Sequence, residues 1–147
     1  MYSSISLGYA NKLDMPIPLT APDIARLIAG APSRFDLWLR LLRTNPPDSA
    51  AEIGVWKGDF AKVILSNFNN LTKYYMIDPW AHLPDWNKPF NVDDRSFEDV
   101  YAEALLKTEF AANRRIVLRG RTSAVIDEIP TSRSTSPTSM ETIRLGG

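Results

Sequence analysis

Three short apolar runs, Ser49 to Val55, Tyr74 to Ile77 and Arg115 to Gly120, alternate with segments of helical period. That alternation constrains the fold more than any other feature of the chain. Asp59 to Phe68 sets Phe60, Val63, Ile64 and Phe68 on one helical face, and Ser96 to Ala112 does the same with Phe97, Val100, Tyr101, Ala104, Leu105 and Phe110. Strand–helix–strand–helix–strand predicts an α/β fold, a parallel sheet with crossover helices. A short helix over Ser123 to Ile129, stopped by Pro130, follows the third run. Two helices are expected ahead of the first run, both packing as core. One starts at a Thr20 cap with Pro22 in its first turn and carries Ile24, Leu27 and Ile28. The other follows Ser33, carries Phe35, Leu37, Trp38, Leu39, Leu41 and Leu42, and ends before Asn45. Residues 1–20 read as an irregular lead-in, because Met15-Pro16-Ile17-Pro18 cannot be helical.

The chain of 147 residues, 44% apolar, suits one domain with a sizeable core. Its 17 basic and 17 acidic residues cancel, so no general attraction to nucleic acid or an anionic membrane is expected. The absence of cysteine excludes disulfides and thiolate metal sites, and His82 as the single histidine excludes a multi-histidine metal site. No basic flank precedes a long apolar run, so neither a signal peptide nor a membrane span is expected, and the default location is the cytoplasm.

Chemistry-bearing residues cluster just after the three runs, where open parallel sheets bind ligands. After the first comes Glu52-Ile53-Gly54-Val55-Trp56-Lys57-Gly58, a glycine turn opening a helix, which leaves backbone N–H groups and little bulk facing a ligand. Glu52 could hold a cationic group or be an exposed strand-end carboxylate. Asp78 follows the second run, where an acid can accept both hydroxyls of a ribose or can cap the turn before Pro79. Trp80 could lie on an adenine face or cover the sheet edge. Thr122 and Ser123, after the third run, could bond an adenine amino group or cap the short helix. Lys57 is expected to face solvent, and His82 reads as a solvated loop residue rather than a base. Asp93, Asp94, Glu98 and Asp99 read as the acidic start of a helix rather than as metal ligands.

Glu-Ile-Gly-Val-Trp-Lys-Gly and the later Ile-Asp-Pro-Trp together resemble motif I and the second strand of class I S-adenosylmethionine (SAM) dependent methyltransferases, in particular the small-molecule O-methyltransferase-like branch. Dinucleotide dehydrogenases are a poorer match, because Gly54 and Gly58 lack the three-glycine spacing. The resemblance runs from about residue 31 to residue 130. It implies an incomplete Rossmann-like domain of about three strands that binds SAM, with Glu52 and Gly54 lining the methionine part and Val55, Trp56 and Gly58 also at the cofactor. Asp78 would take the ribose, and Trp80, Thr122 and Ser123 the adenine side. It further implies methyl transfer to a small-molecule acceptor, with oxygen the favoured atom. It assigns no catalytic base and no metal; Trp80, Pro84, Trp86 and Phe90 suggest only an apolar rim for the acceptor. An open sheet of this kind is expected to leave one strand edge and one apolar face uncovered, a route to homo-oligomers.

Residues 131–147 are Ser/Thr-rich without a strand pattern, and their composition suits disorder. Read two nucleotides out of register, the codons of Met140, Glu141 and Thr142 force a glycine followed by asparagine or aspartate. Their neighbours permit a reading like the fourth strand and loop of the same family. The expectation is therefore a frameshifted, truncated methyltransferase; the alternatives are a non-catalytic SAM- or nucleotide-binding or assembly module and a non-functional remnant.

Overall fold

The computed structural model describes the backbone of residues 4–8 and all of residues 18–130. The tail, with its frameshift reading, lies outside the described residues, as does Met15-Pro16-Ile17. Nine elements carry the fold: β1 (Ser4–Gly8), α1 (Ala21–Ala29), α2 (Arg34–Thr44), β2 (Ser49–Ile53), α3 (Asp59–Asn67), β3 (Lys73–Asp78), α4 (Asp94–Lys107), β4 (Arg115–Arg119) and α5 (Thr122–Val125). Short 3₁₀ turns, Glu109–Ala111 and Ile126–Glu128, follow α4 and α5. The four strands form one sheet in the order β1-β2-β3-β4. β2, β3 and β4 are mutually parallel, as the alternation predicts, with Ala51 beside Tyr75 and Tyr75 beside Ile116.

β1 was not expected. It pairs antiparallel with β2, Ser4 opposite Ile53 and Gly8 opposite Ser49, inside the segment read as irregular. The polar–apolar alternation of Ser4-Ile5-Ser6-Leu7 suits a strand, and the prolines that break the lead-in come later. β2 is therefore paired on both sides, and β1 and β4 are the edge strands of the described sheet.

Both faces of the sheet are also covered. Ala50, Tyr74 and Met76 lie in the main core with Trp38, Leu42, Phe60, Ile64, Leu65, Val100 and Ala104 from α2, α3 and α4. On the opposite face Ala51, Tyr75, Ile77 and Leu118 are buried in a second cluster with Val125 and Ile129. The uncovered apolar face of the expectation is thus absent among the described residues.

Local signals explain the helix boundaries. Thr20 and Asp23 close a reciprocal capping box on α1, and Ser33 and Asp93 accept from the third amides of α2 and α4. The carboxyl end of α3 is closed by a distant residue: the Arg114 guanidinium donates to the carbonyls of Leu65 at 2.6 Å and Phe68 at 2.7 Å. α4 ends earlier than its periodicity suggests, because the Thr108 hydroxyl bonds back to the Ala104 carbonyl at 2.8 Å. Phe110 falls in the 3₁₀ turn and is 55% exposed rather than inward. α1 likewise departs from the expected core role: none of its residues is buried, and Ile24 and Ile28 are 45% and 56% exposed. No helix among the described residues is long and apolar enough to cross a membrane.

Candidate functional site

The carboxyl ends of β2, β3 and β4 come together through backbone bonds. The Gly54 amide donates to the Ile77 carbonyl at 2.9 Å, and the Gly120 amide to the Asp78 carbonyl at 3.0 Å. The turn from Gly54 to Gly58 is built on positive φ: Gly54 at 83°, Trp56 at 54° and Gly58 at 77°. Glycine accepts such angles freely and tryptophan does not. The second glycine has a further cause. A Cβ on Gly58 would stand 3.0 Å from the Ala104 Cα, so glycine here lets α4 approach the start of α3. Val55 is buried, and its carbonyl accepts from the Gly58 amide.

Asp78 links the strand tips. Its Oδ2 accepts from the Trp56 amide at 3.0 Å and its Oδ1 from the Trp80 amide at 2.8 Å. The carboxylate is 2% exposed. Burial raises its pKa above the ordinary aspartate value, and the amide bonds from the turns oppose that rise. The turn-capping role weighed for Asp78 is therefore present, and it extends to the neighbouring glycine turn.

Trp80 is fully buried, at φ 39°, against Tyr101 with ring centroids 4.9 Å apart, and its indole N–H donates to the Trp56 carbonyl at 2.8 Å. Trp56 itself is half-buried and stands edge-on to Phe90 and Phe97.

Glu52 is fully buried rather than an exposed strand-end carboxylate, and its Oε2 accepts from the Tyr74 hydroxyl at 2.9 Å. Burial first, then the carboxylate, pushes the Tyr74 hydroxyl well above its ordinary pKa. Thr122 is half-buried and Ser123 exposed. Arg121 occupies the N-cap of α5 without a side-chain cap bond, so Thr122 and Ser123 lie inside the helix and cap nothing. Lys57 faces solvent, its side chain 43% exposed, and pairs at the surface with Glu103 of α4 at 3.2 Å.

Sequence reasoning missed two arginines. Arg119 donates to the Trp80 carbonyl at 2.8 Å, pairs with Glu98, and lies 4.7 Å from the Tyr101 ring. Arg121 pairs with Asp85 of the loop after β3. Only their position at the end of β4 could have marked them. His82 is exposed, with Nδ1 3.1 Å from the Val92 carbonyl, a loop brace rather than a placed base. No group of acidic and histidine residues among the described residues has a metal-binding arrangement.

The arrangement offers a glycine turn, a buried acid bonded to it, and hydroxyls after β4, on adjoining strand tips. The turn and the hydroxyls offer hydrogen-bonding groups at the strand tips, while both oxygens of Asp78 are engaged by inward amides. Comparison with protein-family models, with curated proteins and with solved structures gives no match.

Proposed function

We propose that this chain derives from a SAM-dependent methyltransferase and binds SAM, or its demethylated product, across the carboxyl ends of β2, β3 and β4. One observation carries the reading: the Asp78 carboxylate reaches across 22 residues of sequence to the Trp56 amide, joining the glycine turn and the acidic strand tip in one site. The donor set suits the group in kind. Gly54 would leave backbone room for the methionine part, half-buried Thr122 and exposed Ser123 have hydroxyls for the adenine side, and Asp78, 2% exposed and bonded to two amides, would meet ribose hydroxyls only once it is uncovered. Glu52 would act through charge from beneath the turn, since its carboxylate is buried. When bound, SAM supplies an activated methyl group, here for a small-molecule acceptor oxygen. The chain's own residues would hold and orient the ligand, which is where catalysis by proximity resides.

A non-catalytic SAM- or nucleotide-binding module is the second reading. It is favoured by the internal use of Asp78 and Trp80, whose polar atoms already serve the fold.

Titration calorimetry with SAM and S-adenosylhomocysteine tests the binding reading. Saturable heat in the wild type, lost in Gly54→Arg while far-ultraviolet circular dichroism stays unchanged, is the expected result. No heat from the folded wild type would sink it. A methyl-transfer assay over phenols, sugars and amines then separates the enzyme from the binding module.

A further inference from the structure

Residues 82–92, which follow β3, form a closed loop standing on a narrow neck. At the neck the His82 amide donates to Asp94 Oδ1 at 2.7 Å, and the Leu83 amide to Asn91 Oδ1 at 2.9 Å. The Asn91 side-chain nitrogen donates back to the carbonyls of Leu83 and Trp86, both at 2.7 Å. A segment whose ends are bonded together in this way moves as a unit more readily than it unravels.

Val92, at the foot of the loop, packs against the main core, and from residues 83–91 an aromatic contact and an ion pair reach the rest of the fold. Phe90, 49% exposed, meets the Trp56 ring edge-on at 5.6 Å. Asp85 forms a two-pronged ion pair with Arg121, with Nη1 3.0 Å from Oδ2. Trp56 follows β2, Arg121 follows β4 and the loop itself leaves β3, so it crosses the tips of all three parallel strands. Asp78, at the tip of the middle parallel strand β3, is 2% exposed. The side chains of the ion pair are 49% and 65% exposed, which makes the pair weak and sensitive to salt.

We propose that residues 83–91 swing as one body on the His82–Asp94 and Leu83–Asn91 neck, with Val92 held in the core and Asp85–Arg121 as the latch, and that the swing uncovers Asp78 and the Trp56 amide. The part of this that concerns ligand entry rests on the cofactor reading above; the opening itself does not.

Amide hydrogen exchange on the full chain, resolved by residue, tests the opening without any ligand. In Asp85→Asn, in Arg121→Gln and in the wild type at high sodium chloride, exchange of the Trp56 and Trp80 amides should rise about two- to fivefold, the range an exposed pair can deliver. The double variant should add nothing to either single one. The Leu83 and Asn91 amides should keep their wild-type rates. Unchanged Trp56 and Trp80 amides in all three conditions would overturn the proposal. So would equal acceleration at Leu83 and Asn91, which would mean an unravelling loop. Stopped-flow mixing with SAM separates the two readings. Faster association in the same variants supports the latch as a gate, whereas association at an unchanged rate removes the gate. Opening with no SAM binding at all keeps the hinged loop and removes the cofactor reading.

Discussion

The Trp56 amide donates to Oδ2 of Asp78 at 3.0 Å, so the turn after the first parallel strand is fastened to the tip of the second. The Trp56 carbonyl is held from the same side by the Trp80 indole. Two tryptophans thereby keep positive φ angles, each at a cost of about 1 kcal/mol that these bonds offset. The glycine turn is thus shaped by protein groups before any ligand arrives, and Asp78 is a structural residue whatever else it binds.

Asp78→Ala should lower stability by about 2–4 kcal/mol in urea unfolding, because it strands two inward amides at once. Asp78→Asn, which keeps one accepting oxygen, should cost less. The pH dependence has a definite sign. Burial raises the folded pKa of Asp78 above its unfolded value, so the folded state holds the proton more tightly there and the group's contribution weakens as pH rises. The stability of the wild type relative to Asp78→Asn should therefore increase as pH falls from neutrality through the raised pKa, and level off below the unfolded value near 3.8. A difference that shrinks on acidification would contradict the burial argument.

Trp80→Phe should destabilise by about 2–3 kcal/mol, since it leaves the Trp56 carbonyl without its indole donor and opens space beside Tyr101. Trp86, 38% exposed in the loop, is the control. Trp86→Phe should shift the urea midpoint by less than about 0.5 kcal/mol.

The residues that the sequence makes legible are those governed by local rules. Ser33, Asp93 and Gly58 mark helix starts, and the continuous apolar run Tyr74–Ile77 and the helical pattern of Phe60–Phe68 survive in the fold. What escaped depends on distant partners. β1 exists through its pairing with β2, which five alternating residues do not announce. Ile24 and Ile28 have a helical pattern but no core to meet. At the site, position was legible and orientation was not: Asp78 and Trp80 stand at the expected strand tip, yet their polar atoms turn inward to Trp56.

The capping box on α1 makes a titration test available. Asp23 is held to a pKa of about 2, first by the Thr20 hydroxyl, then by the Thr20 amide and the Arg26 guanidinium. Carboxyl carbon shifts should follow that titration, and Thr20→Ala should move it back toward 3.8. Because the folded value is depressed, the stabilising contribution of Asp23 is present above its unfolded pKa and is lost as pH falls through about 2.

Gly58→Ala separates the structural demand for the second glycine from any demand made by a ligand. The new Cβ would meet Ala104 of α4 at 3.0 Å on the Cα and 3.2 Å on the Cβ, and the residue would have to hold φ 77°. Left-handed backbone costs about 1–2 kcal/mol for alanine, and overpacking against a helix backbone adds about 1–3 kcal/mol. A loss of about 2–4 kcal/mol is therefore expected in urea unfolding without ligand. Ala104→Gly removes the side-chain half of the clash but leaves the Ala104 Cα and carbonyl in place, so it should recover only part of the loss in the double variant. A ligand-free stability equal to wild type would mean that α4 can retreat, and would leave ligand approach as the reason for glycine at this turn.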